Sequence, residues 1–259
     1  MRNLLALLIV LFIFKAYAVE GKPTLVLVAD PWCPYSCNEE DVRKGYMVEL
    51  ASIVFNQLGY KVEYQNMPWS RAIKSVKEGD VDGIIGAGRD EVPELIFPET
   101  PLGVAAHTFF TLKKSNWTYS SLQSLNTVSL GVIQNYSYGT LYDDYIKHHG
   151  SDISKVQLVS SLSGLEQNLS KLVRERVDVI IEDRNVVKYH YSSQDLEFEL
   201  REAGVVSYEE VYIAFSPKLK EAKLLAYTLS KQLKDMRKSG ELAKTLSAYG
   251  INDWHKSTN

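Results

Sequence analysis

The chain has 259 residues, 45% of them hydrophobic, 24% charged and 11% aromatic, with a formal net charge of -3. This is ordinary globular composition, and it excludes a disordered chain, a collagen and a small disulfide-knotted scaffold. No excess of positive charge is available to neutralise phosphates, which speaks against nucleic-acid binding.

The N-terminus reads as an address. Arg2 precedes an uninterrupted apolar run over residues 4–14, and Ala16-Tyr17-Ala18 supplies the small-residue pattern of a cleavage site. The run falls short of the about 20 apolar residues that span a bilayer. A signal peptide over residues 1–18, cleaved after Ala18, is therefore expected, and with it export to the periplasm. Export bears on the two cysteines, Cys33 and Cys37. An oxidising compartment favours a disulfide between them. Free thiols and redox or metal chemistry are the lesser readings, and with no histidine close in sequence no metal site is expected.

Residues 24–29 form a short apolar, β-branched run that ends at Asp30-Pro31, the pattern of a buried strand followed by a loop. Met47, Leu50, Val54 and Leu58 recur at spacings of three and four, so residues 45–59 predict a helix with one apolar face, stopped by Gly59. A strand over 62–65 and a helix over 69–77, opened by Pro68, come next. A strand over 82–85 completes a strand-helix alternation typical of a parallel sheet. The alternation returns downstream, with strands at 127–132, 157–159 and 177–181 and helices at 139–149, 162–174 and 184–191. Between the two units lies a long strand over 103–112. A further strand over 211–215 precedes a mostly helical C-terminus over 218–247. The economical arrangement is two α/β lobes joined by two crossing strands with a central cleft. Residues 19–110 and 209–259 form lobe 1, and residues 111–208 form lobe 2. A cleft between lobes is a common ligand site.

Several segments, taken together, carry a resemblance. Gly45-Tyr46-Met47-Val48-Glu49-Leu50 is followed by Gly59-Tyr60-Lys61-Val62-Glu63-Tyr64, then Pro68-Trp69-Ser70-Arg71-Ala72, then Glu78-Gly79-Asp80-Val81-Asp82-Gly83. Residues 131–139, 176–183 and 211–215 continue the series. In order and spacing these resemble the bacterial extracellular solute-binding proteins of family 3, the polar amino-acid type. The resemblance implies a periplasmic-binding-protein type II fold, a small-molecule solute held between lobes, and a membrane partner that is an ABC transporter permease or a sensor. It implies a monomer without cofactor. Two positions depart from the family pattern. Met47 stands where the family carries Asp, and the Arg that grips a ligand carboxylate in the family has only Arg89 as a counterpart, about two positions early. These departures leave open a solute other than a standard α-amino acid.

The resemblance aligns Asp183 with the family's ammonium-binding Asp and Tyr35 with its aromatic recognition residue. Arg89 has a fork that matches a carboxylate, or it is a surface Arg paired with Asp90 or Glu94. Asp183 follows a strand whose end faces the cleft in such sheets, and it also suits the N-cap of the next helix. Tyr35 and Trp69 offer aromatic faces, or pack. Asn135 and Ser137 lie between a strand and a helix, where backbone N–H groups meet anions, although Ser137 equally caps the helix. The expected ligand-binding set is thus Tyr35, Trp69, Arg89, Asn135, Ser137 and Asp183. No nucleophile elbow, zinc-ligand helix or phosphate-binding glycine loop occurs. The alternative of a dehydratase-like enzyme would draw first on His107, Glu182 and Asp183.

Overall fold

The computed structural model describes residues 22–197 and 199–256; the expected signal peptide, residues 1–18, lies outside them. Among the described residues no helix is long and apolar enough to cross a membrane.

The elements run β1 (Thr24–Ala29), α1 (Tyr46–Gln57), β2 (Lys61–Asn66), α2 (Trp69–Glu78), β3 (Gly83–Ala87) and β4 (Gly103–Leu112). They continue with β5 (Leu130–Ile133), α3 (Thr140–His149), β6 (Val156–Val159), α4 (Gly164–Val173), β7 (Val179–Asp183) and α5 (Arg184–Ser193). The chain closes with β8 (Leu200–Phe215), α6 (Ala222–Ser239) and α7 (Glu241–Ser247). The strands lie in the order β2-β1-β3-β8-β4-β7-β5-β6. β1 pairs in parallel with β2 and β3, and β5 in parallel with β6 and β7. The two parallel units meet through β4 and β8, which pair antiparallel along the whole of β4, from Gly103↔Val211 to Leu112↔Leu200. The architecture is two α/β lobes joined by two crossing strands.

Each unit buries both faces of its sheet, as parallel sheets require. Around β1, α1 packs with α6 and α7 through Leu50, Val54, Leu229, Leu233 and Leu246, while α2 covers the other face with Trp69, Ala72 and Val76. Around β5 and β7, Tyr142 and Tyr145 of α3 lie on one side, and Leu169 and Leu172 of α4 with Val187 of α5 lie on the other. The C-terminal helices thus pack against the first unit.

Two elements differ from the sequence expectation. β8 is 16 residues long and begins at Leu200, not near 211. Its early part, with Arg201, Glu202, Glu209 and Glu210, lacks apolar alternation and is held instead by its ladder to β4, with bulges at His107/Thr108 and Phe109/Phe110. The strand expected from 127 starts at Leu130, because Leu122–Thr127 forms a short 3-10 helix.

Cys33 and Cys37 are joined in a disulfide. It closes the loop after β1, in which Trp32 N–H donates to Ser36 O. This loop serves α1 directly. The N–H groups of Tyr46 and Met47 donate to Pro34 O and Tyr35 O at 2.9 and 3.1 Å, so loop carbonyls replace a side-chain cap. The close approach requires Gly45: its φ is 105°, and a Cβ there would lie 2.4 Å from Tyr35 O.

Candidate functional site

The cleft cavity lies where the loop ends of the first unit face the crossing strands and the β5–α3 loop. It is lined by Asp30, Trp32, Trp69, Ile85, Gly86, Glu91, His107, Tyr136, Ser137, Glu209 and Val211 and has a volume of about 30 Å³. Asp30 and Trp32 follow β1. Trp69 opens α2. Gly86 sits at the β3 bulge with a φ of 96°, which brings the backbone against the Trp32 ring. His107 and Glu209 come from β4 and β8, and Tyr136 and Ser137 from the turn after β5.

Hydrogen bonds cross the cleft at four places. Tyr136 OH donates to Asp30 Oδ2. Trp32 Nε1 donates to Glu182 Oε1 at 3.0 Å, Tyr35 OH to Asp183 Oδ1 at 3.1 Å, and Asn135 Nδ2 to Ser70 Oγ at 2.6 Å. Tyr136 also meets Trp69 edge-on at 6.2 Å and packs against three of the hydrophobic clusters, so it ties the two units together.

The cavity is rich in acid. Burial pushes the Asp30 carboxyl up to about 6, against the lowering effect of the Tyr136 hydroxyl. Burial likewise raises Glu91 to about 7, opposed by the bond from Trp69 Nε1 at 2.6 Å and reinforced by nearby Glu209. Behind Trp32, burial brings Glu182 to about 7 and also raises Asp183. Burial alone would lower His107; the bond to Glu209 at 3.4 Å and the charges of Asp183, Glu209 and Glu182 outweigh it and raise its affinity for protons.

The expected site residues fall into three groups. Trp69 and Ser137 line the cavity. Ser137 does not cap α3; its Oγ donates to Asp143 Oδ2 at 2.9 Å, and Gly139 holds the cap position. Asn135 stands at the rim on its bond to Ser70, in the left-handed region with a φ of 64°. Tyr35 and Asp183 lie behind the cavity wall. Tyr35 stacks on Trp32 with ring centroids 4.2 Å apart and accepts from Asn185 Nδ2 at 3.0 Å. Asp183 caps α5: Oδ1 accepts from Asn185 N and Val186 N at 2.8 and 3.0 Å, and Oδ2 from Ala106 N at 2.7 Å. With four donors satisfied, its carboxylate is spent on the fold. Arg89 is placed away from the cavity. Its guanidinium lies 4.6 Å from the Tyr212 ring and 5.2 Å from the Phe97 ring and donates to Pro98 O. These rings hold it to the outer side of β8.

Sequence reasoning passed over Asp30, Glu91, Tyr136 and Glu209. Asp30 immediately follows β1, as Asp183 closes β7, so the rule that strand ends face the cleft also reaches it. Glu209 sits in a charged stretch that reads as solvated, and only the β8 ladder turns it inward, against Gly88, where a Cβ would collide with its Oε1 at 1.9 Å.

The chain and its fold have known counterparts. The arginine-binding extracellular protein ArtP of Bacillus subtilis is 27% identical over 233 residues, covering 87% of this chain and 85% of that protein. A histidine kinase sensor domain with similarity to periplasmic binding proteins superposes with a TM-score of 0.72 at 20% identity, over 88% of this chain and 96% of that one. A mutant of ArgBP from T. maritima gives 0.71 at 19% identity, over 89% and 96%. The model of the bacterial extracellular solute-binding proteins, family 3, matches residues 25–252, and the chain belongs to that family.

Proposed function

We propose that this chain is an exported solute-binding protein that captures a small polar solute between its lobes and delivers it to an ABC transporter. Residues 19–110 with 209–259 act as one lobe and residues 111–208 as the other. The signal peptide is cleaved after Ala18 and the mature protein works in the periplasm as a monomer. The observation that carries this reading is the set of hydrogen bonds across the cleft, which surround the cavity with side chains from both units. A cavity of about 30 Å³ holds little more than water, so the lobes part to admit the solute and close on it. A solute drives closure only by its differential affinity for the closed form.

Trp69 and Ser137 contact the solute, with Asp30, Trp32, Glu91, His107, Tyr136 and Glu209 completing the wall. Asn135 closes the rim, Tyr35 and Asp183 support Trp32 and β4 from behind, and Arg89 serves the outer surface. The protein binds its solute without turning it over. The test is a thermal-shift panel of amino acids, organic acids, polyamines and short sugars on protein unfolded and refolded to strip carried solute, with each mixture analysed for products. A solute at 100 times its Kd adds about 2.7 kcal/mol, roughly 5–10 °C at this size. Such a shift without product supports the reading; product formation overturns it in favour of an enzyme.

A further inference from the structure

The hydrogen-bond donors on the cavity side chains are already spent on carboxylates. Trp32 Nε1 donates to Glu182, Trp69 Nε1 to Glu91, Tyr136 OH to Asp30, and Ser137 Oγ to Asp143. His107 Nε2 faces Glu209. What the wall still offers is acceptors, the remaining lone pairs of Asp30, Glu91 and Glu209. One further atom points the same way. The His107 side chain is only 5% exposed, and its Nδ1 is buried without a hydrogen-bond partner. In the neutral ring, with its proton on Nε2 toward Glu209, Nδ1 is a bare acceptor; in the protonated ring, which the surrounding carboxyls favour, it is a donor.

The charge balance agrees. Among the described residues three carboxylates line the cavity and no lysine or arginine does. Two arginines lie close in sequence to lining residues: Arg89 is held between Phe97 and Tyr212, and Arg71 is exposed on α2. Among the described residues an α-carboxylate placed here would meet no lysine or arginine and would lie beside the carboxyl groups of Asp30, Glu91 and Glu209. That arrangement selects against anions and zwitterions as firmly as it selects for cations. The rings of Trp32, Trp69 and Tyr136 add faces that attract cations.

Resting on the reading of the chain as a solute-binding protein, we propose that its solute is a small organic cation, bearing ammonium or guanidinium groups and no carboxylate. The acceptors take its N–H groups, and the aromatic rings enclose its apolar part.

The experiment is isothermal titration calorimetry on the refolded full-length mature protein, with pairs that differ only by a carboxylate: agmatine against arginine, putrescine against ornithine, cadaverine against lysine. Glutamate and a neutral sugar serve as controls. The proposal expects at least one amine to bind 10-fold or more tightly than its parent amino acid, a difference of about 1.4 kcal/mol. It also expects Glu91→Gln, which keeps the side chain's shape, to weaken that amine 10-fold or more while circular dichroism shows the fold intact. An amino acid that binds as tightly as its amine, or any tighter binding of glutamate or sugar, overturns the cation proposal and leaves solute binding standing. Consumption of a panel member overturns the binding-protein reading instead. Failure of every member to bind overturns both.

Discussion

Burying Glu182 beside Asp183, with Asp30 and Glu91 nearby, makes stability depend on pH. Burial holds these carboxyls protonated to higher pH than in the unfolded chain, with Asp30 at about 6 and Glu91 and Glu182 at about 7. Between about pH 4 and 7 the native state therefore binds more protons than the unfolded state, and stability falls as pH rises through this window. His107, whose affinity for protons is also raised, contributes in the same direction. The solute-free protein should melt at higher temperature at pH 5.5 than at pH 8. Glu182→Gln should remove roughly 2 kcal/mol of that difference, as calorimetry at the two pH values will show. Asp183 has a different task. Asp183→Ala removes the cap of α5 and strands the donors of Ala106 and Tyr35, so a loss of about 2–4 kcal/mol is expected in denaturant unfolding. The family resemblance aligns Asp183 with an ammonium-binding residue while its place before α5 suits an N-cap, and the choice between them depends on where Ala106 N and Tyr35 OH lie. Both come from segments distant in sequence, which no local pattern reports. The same holds for Arg89, whose place is set by Phe97 and Tyr212.

Among the elements, the loop after β1 and the first turn of α1 behave as one unit. Gly45→Ala forces a Cβ into Tyr35 O and a side chain into positive φ, and should cost at least about 2 kcal/mol, read by chemical denaturation. Reducing the Cys33–Cys37 bond should cost about 2 kcal/mol, since so short a loop gains little chain entropy; a larger loss would mean the bond also holds α1 in place. The helices and buried strands of both units were legible because their apolar residues recur at helical or strand spacing, as in Met47, Leu50 and Val54 or in residues 24–29. β8 was legible only over 211–215, where both faces are buried. Its earlier half is a strand because β4 runs alongside it, a long-range cause that leaves no period in the sequence. Glu209, an acid of the cavity wall, was hidden for that reason.

At the scale of the whole molecule, the sheet is continuous through β4 and β8, so those two strands carry any change in the angle between lobes. Their bulges near His107 place the least regular pairing beside the cavity, where hinge motion needs the fewest ladder bonds to adjust. Solute capture by both lobes has a signature that binding to one lobe lacks. Amide hydrogen exchange on the refolded protein, with and without a saturating solute from the calorimetric panel, reads it directly. Slower exchange should appear together in the segments carrying Trp32, Trp69 and Glu91 on one side and Asn135, Tyr136 and Ser137 on the other. Protection confined to one side, or lying away from the cleft, would contradict capture between the lobes.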